Sequence, residues 1–260
     1  MLTERFRTLR EGDRRALVCY VTAGHPDRAR SLSLLSGLAE AGADVIELGV
    51  PFSDPVADGP VIQRSSQLAL DQGMTLDGAL ALVEEARVSI PVVLFSYLNP
   101  VIAAGPRVLE RAHEAGVHGL LVTDLPVGSD PVREQWLGCG PLDFVRLVAP
   151  TTPVGRMAEI ATHGRGFVYL ISRLGVTGMR RDIAASLPES IERLRAVCSL
   201  PICVGFGISN AAQARAVGAL ANGIVVGSAL VQAAERSVID ALALVRMMRA
   251  ALDAVGVASA

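Results

Sequence analysis

Eight short apolar runs, each followed by residues at helical spacing, recur along the 260 residues, and few folds accommodate that rhythm. The runs are Ala16–Ala23, Asp44–Val50, Val92–Tyr97, Gly119–Asp124, Asp143–Ala149, Phe167–Ser172, Ile202–Gly207 and Gly223–Gly227. Most are continuous stretches of Val, Ile and Leu, as strands covered on both faces require. Helical spacing follows in Asp27–Ala41, Pro60–Asp71, Thr75–Arg87, Arg107–Glu114, Pro131–Leu137, Arg156–Thr162, Pro188–Cys198, Asn210–Val217 and a last stretch, Ala229–Val255, with a break near Arg236-Ser237. This alternation predicts a closed (β/α)8 TIM barrel forming a single domain over 1–260, with a doubly wound open sheet as the second reading. An extra N-terminal helix over residues 1–11, apolar at Leu2, Phe6 and Leu9, is expected to close the bottom of the barrel. The segments after strands two and six are longer than the rest. In a barrel they lie at the C-terminal face, where chemistry is done.

Composition narrows the chemistry. A net charge of −2 without a basic block argues against a nucleic-acid partner. No apolar run approaches a membrane span, and Met1–Arg7 lacks the core of a signal peptide. Cys19, Cys139, Cys198 and Cys203 form no CxxC pair, which points to a reducing, cytoplasmic setting. All 24 basic residues are arginine, so no lysine is present to form an imine with a substrate or with pyridoxal phosphate. His25, His113, His118 and His163 show no metal-ligand spacing, and no metal is expected. Carboxylate acid–base chemistry is the remaining option.

The stretch from Asp44 to Pro60 carries it. Glu47 lies in the second apolar run and shares a face with Val45 and Gly49. Asp58 follows on the exit loop, just before Gly59-Pro60 opens a helix. A strand and its following loop thus bring two carboxylates toward one cavity. A buried Glu satisfied by an Arg or Tyr is the structural alternative. Gly205-Phe206-Gly207-Ile208-Ser209 leaves strand seven and Gly227-Ser228 leaves strand eight, the two positions that form a phosphate site in such barrels. Gly175-Val176-Thr177-Gly178 lies on the long loop after strand six. Tyr169, sharing a face with Phe167 and Ile171, either hydrogen-bonds a catalytic acid or packs in the core.

The run Glu47-Leu48-Gly49-Val50-Pro51-Phe52-Ser53-Asp54-Pro55-Val56-Ala57-Asp58-Gly59-Pro60 resembles the signature of the tryptophan synthase alpha chain family. The likeness continues through Tyr20-Val21-Thr22-Ala23-Gly24, Tyr97-Leu98-Asn99-Pro100, Asp124-Leu125-Pro126, Ala149-Pro150-Thr151-Thr152-Pro153, the segment Ser172–Gly178, and the glycine turns after strands seven and eight. It implies retro-aldol cleavage of indole-3-glycerol phosphate to indole and glyceraldehyde 3-phosphate, with Glu47 and Asp58 as the catalytic pair. It further implies that Gly178, Phe206, Gly207, Gly227 and Ser228 surround the phosphate. Tyr169 and Thr177 would support the carboxylates, Tyr20, Ile62 and Phe206 would line the indole pocket, and Asp54 and Pro55 would contact a beta chain. Glu47 is then expected to have a raised pKa, and Asp58, on a wetter loop, to stay ionised. The resemblance implies no cofactor in this chain, pyridoxal phosphate in the partner, and an alpha2beta2 heterotetramer. Phe95-Ser96 and Val127-Gly128 depart from the family's usual residues and touch pocket details or the partner surface only. Other readings are a free-standing indole-glycerol-phosphate lyase, a catalytically silent barrel that activates a partner, and a different phosphosugar barrel enzyme. The intact Glu47/Asp58 pair argues against the silent barrel.

Overall fold

The structure is a computed structural model and describes residues 1–171, 186–205 and 207–256. Eight parallel strands close on themselves in sequence order: β1 (Ala16–Thr22), β2 (Val45–Gly49), β3 (Val92–Ser96), β4 (Gly119–Val122), β5 (Asp143–Val148), β6 (Val168–Ile171), β7 (Ile202–Gly205) and β8 (Gly223–Val226). Closure is made by β1 against β8, with Ala16 opposite Gly223. The barrel reading therefore holds over the open sheet.

Helices ring the strands: α1 (Leu2–Glu11), α2 (Arg28–Leu38), α3 (Pro60–Asp71), α4 (Leu76–Ala86), α5 (Leu98–Ala103), α6 (Val108–Glu114), α7 (Pro131–Cys139), α8 (Val154–Thr162), α9 (Leu187–Arg195), α10 (Ala211–Gly218), α11 (Ser228–Arg236) and α12 (Val238–Gly256). Side-chain oxygens of Asp27, Thr75, Asp130 and Asn210 cap α2, α4, α7 and α10 by accepting N–H groups of the first turn. The break expected near Arg236-Ser237 separates α11 from α12, and the Ser237 hydroxyl accepts the Asp240 N–H at 3.0 Å. One helix was not legible in the sequence. The six residues of α5 are too few to show a period, and Pro100 is tolerated because it lies in the first turn.

Two apolar layers result. Outward-facing residues of the strands pack against the helices. Inward-facing residues, among them Val18, Val45, Val93, Leu121 and Val145, fill the barrel with Leu2, Phe6 and Leu9 of α1. The Phe6 and Phe167 rings lie 5.2 Å apart, so α1 plugs the floor as its spacing predicts. With the floor sealed, the open end of the cylinder is the mouth at the strand C-termini, where β2 carries Glu47 upward in register with Tyr20 of β1.

Candidate active site

Glu47 occupies the inward register of β2 and is 0 % exposed. Among the described residues neither of its carboxylate oxygens has a hydrogen-bond partner. Among the described residues no Arg or Tyr satisfies it, as the structural alternative required. Burial alone pushes the Glu47 carboxyl up to about 8, because nothing in the wall compensates a charge there. At neutral pH it is a protonated acid.

Asp58 sits on the loop from β2 to α3. The Tyr97 hydroxyl donates to Asp58 Oδ2 at 2.9 Å and accepts the Ala57 N–H at 2.9 Å. The Tyr97 ring lies 5.0 Å from that of Phe52, fastening the loop at a second point. The loop is drier than the sequence suggested. Burial raises the Asp58 carboxyl to about 6, with the Tyr97 hydrogen bond pulling the other way. Asp58 is thus ionised at neutral pH, but by a narrower margin than a solvated aspartate.

Both acids line one cavity of about 210 Å³ at the barrel mouth. Tyr20, Ile62 and Tyr169 line it as well, as do Gly207, Gly227 and Ser228. The sequence reading of a single mouth-facing site is therefore drawn together by the fold. Tyr169 shares the cavity with Glu47, and neither oxygen of the Glu47 carboxyl accepts a hydrogen bond from it. Gly178, Thr177 and Phe206 lie outside the described residues. Asp54 and Pro55 are on the outer face of the β2–α3 loop, away from the cavity lining, beside Val56, which is 81 % exposed.

Packing keeps two tyrosine rings low in the mouth. A Cβ on Gly49 would come within 2.1 Å of the Tyr20 hydroxyl, and one on Gly205 within 2.0 Å of the Tyr169 hydroxyl. Each tyrosine leans over a glycine of the next strand, and no other residue leaves that space. Tyr20 meets Phe95 edge-on, with ring centroids 5.3 Å apart. With Ile62 and Val231 they make an apolar wall.

At the opposite end Gly207 turns with φ +86°, a conformation that favours glycine. Gly227 precedes the N-terminus of α11, and Ser228 is its first residue. A helix N-terminus with a hydroxyl beside it suits an anion. Among the described residues no cationic side chain lines the cavity. A larger cavity of about 450 Å³ lies behind α7 and α8, but its Arg146 is committed to Glu134 at 3.2 Å and to carbonyls of His163 and Leu125. Among the described residues no group of three or more His, Cys, Asp and Glu side chains is placed to hold a metal ion.

Sequence reasoning passed over three residues. Phe95 and Tyr97 continue the inward parity of Val93 on the third strand, a signal that was available. Gln232 lines the cavity one helical turn after Ser228, a spacing that becomes informative only once α11 is known to begin at Ser228.

Comparison with known proteins gives one answer. A family model described as tryptophan synthase alpha chain matches residues 6–254. The tryptophan synthase alpha chain of Desulfatibacillum aliphaticivorans is 47% identical over 228 residues, covering 86% of each chain. That of Laribacter hongkongensis is 45% identical, covering 97% of this chain and 99% of its own. Among solved structures, tryptophan synthase of Mycobacterium tuberculosis superposes with a TM-score of 0.90 at 36% identity, over 96% of this chain and 97% of that one. The alpha subunit from Legionella pneumophila strain Paris gives a TM-score of 0.87 at 32% identity, over 97% and 98%.

Proposed function

The chain belongs to the tryptophan synthase alpha chain family, and from that membership we propose that Glu47 and Asp58 are the acid–base pair of its reaction. The protein is a lyase, the alpha subunit of tryptophan synthase in L-tryptophan biosynthesis, and it cleaves indole-3-glycerol phosphate to indole and D-glyceraldehyde 3-phosphate. What carries the residue assignment is one observation: a wholly buried, unpartnered acid faces the same small cavity as a loop aspartate and a helix N-terminus.

The chemistry needs a proton delivered to indole C3 and a proton removed from the side-chain hydroxyl. Neutral Glu47 gives its proton to C3. The positive charge that then develops on the ring nitrogen is met by ionised Asp58, which accepts the indole N–H. The newly formed Glu47 carboxylate, costly where it sits, takes the hydroxyl proton as the C–C bond breaks. The oxygen lone pair becomes the aldehyde C=O and the bonding electrons return to the ring. Glu47 ends protonated, as it began. Tyr20, Ile62 and Phe95 form the wall for the indole. Gly207, Gly227 and Ser228 hold the phosphate at the start of α11, where N–H groups and the helix dipole favour an anion. Gly178, Phe206 and Thr177 enter this reading through the family pattern alone.

The family also implies a beta-chain partner. We place the contact on the Asp54-Pro55 loop, whose exposed Val56 supports a docking role, in an alpha2beta2 assembly. Pyridoxal phosphate belongs to the partner in this reading, since a chain without lysine has no side-chain amine to hold it as an imine. Among the described residues no helix is long and apolar enough to cross a membrane, which fits a cytoplasmic enzyme. An indole-release assay on indole-3-glycerol phosphate, run with and without beta chain, tests the whole reading. The expected result is cleavage that accelerates on adding the partner, with co-elution of the two chains. Cleavage unaffected by the partner, without co-elution, would leave a free-standing lyase.

A further inference from the structure

Among the described residues, the phosphate end of this cavity offers few donors for the charge it must hold. A phosphate monoester brings close to two negative charges into a space already lined by two acids, and no described cation lines it. Arg64 of α3, an adjoining helix, is paired with Glu235 of α11 and does not line the cavity. The donors that the described residues offer are neutral, and several are already engaged. The Ser209 N–H is taken by Gln213 Oε1 at 2.8 Å, and the Ser209 hydroxyl lies 3.1 Å from the same oxygen. The N–H groups of Leu230 and Val231 both donate to the Gly227 carbonyl, at 2.8 and 3.0 Å. At the start of α11 this leaves the N–H groups of Ser228 and Ala229 and the Ser228 hydroxyl.

We propose that Gln232 is a further substrate-binding residue, its side-chain amide donating to the phosphate that Ser228 holds. The proposal rests on the lyase reading above for the identity of the ligand. Gln232 is one turn beyond Ser228, so the two share a helix face, and both line the cavity. Side chains on a helix lean toward its N-terminus, which carries a long amide back over the first turn. Among the described residues the Gln232 side chain makes no hydrogen bond; the Arg236 side chain reaches only its backbone carbonyl, at 3.4 Å. Gln63 and Gln213 differ: the first spends its amide on the Asp58 and Pro55 carbonyls, the second braces Ser209. Among the described residues that line the cavity, Gln232 is a neutral donor of the right reach whose side chain is not engaged elsewhere.

Steady-state cleavage of indole-3-glycerol phosphate and calorimetric titration with inorganic phosphate test this on Gln232→Leu and Gln232→Glu. Loss of a ground-state contact raises KM while kcat moves little. We expect KM to rise about tenfold for the Leu variant and about a hundredfold for the Glu variant, where a like charge faces the phosphate. Inorganic phosphate should weaken in the same order while indole alone binds as before. A Glu variant with wild-type KM and wild-type phosphate affinity would overturn the proposal. So would equal weakening of indole and phosphate, which marks a packing role. Phosphate binding lost in the variants of a protein that releases no indole would refute the lyase reading and support this one.

Discussion

Asp44 and Glu47 stand three residues apart in one chain segment, both 0 % exposed, in opposite surroundings. Asp44 lies at the floor end of β2. Its Oδ2 accepts the Leu17 N–H at 2.8 Å and Arg249 at 2.9 Å, and its Oδ1 accepts Arg5 at 2.6 Å. One carboxylate thereby ties α1, β1, β2 and α12 together. Glu47, a turn of the pleat higher, has no hydrogen-bond partner among the described residues. A buried charge with both oxygens answered is a bolt. A buried acid with none is held neutral and keeps its proton available. Burial by itself therefore does not mark function here; the missing partner does.

Exchanging the acids for their amides should separate the two roles. Glu47→Gln is expected to cut indole release by about 10²–10⁴-fold while substrate still binds, since it removes the proton shuttle and little shape. Asp44→Asn should leave turnover per folded molecule near wild type and lower stability by about 3–5 kcal/mol, because it removes the buried one of the two carboxylates paired with Arg249, the other being half-exposed Asp253. Indole assays beside urea denaturation read both effects. A Glu47 amide that cleaves at near wild-type rate, or an Asp44 amide that folds as firmly as wild type, would collapse the distinction.

The contrast sharpens with pH. Cleavage needs Asp58 ionised and Glu47 protonated, so kcat/KM should rise through about 6 and fall through about 8. Stability gives an independent view of the same proton. Glu47 has a folded pKa above its unfolded one, so its contribution is whole below the unfolded pKa of 4.5 and fades as pH rises through about 8. The Gln variant, which cannot ionise, should lose less stability than wild type between pH 5 and pH 8, the bounds being approximate. Parallel pH-stability slopes would mean that Glu47 is not the group titrating.

The fold and the acid pair were legible in the sequence for a simple reason: both are written in local pattern. Continuous apolar runs fixed the strands, parity put Glu47 inward, and Gly59-Pro60 placed Asp58 at a helix start. Partners across the barrel were not legible. Nothing local to Asp58 announces that Tyr97, 39 residues away, donates to it, nor that the loop is dry enough to raise its pKa. The six-residue α5 and the cavity-facing Gln232 escaped likewise, the first too short for periodicity, the second meaningful only once α11 has a known beginning.

Tyr97 permits the smallest and most selective of these tests. Asp58 is intermediate between Asp44 and Glu47: partly enclosed, and supported by a single side-chain hydroxyl. Tyr97→Phe removes that hydroxyl and leaves the ring against Phe52. The Ala57 N–H loses its acceptor and the Asp58 carboxylate its donor, a change of about 1–2 kcal/mol in favour of the neutral acid. The sign follows: the hydrogen bond lowers the Asp58 pKa, so its loss moves the acid limb of kcat/KM from about 6 toward neutrality. The alkaline limb, set by Glu47, should not move. A shift confined to the acid side would place Asp58 on the charged half of the mechanism and Glu47 on the neutral half. An unmoved acid limb with a uniformly lower rate would instead reduce Tyr97 to a prop for the loop, and the charge on Asp58 would need another source of support.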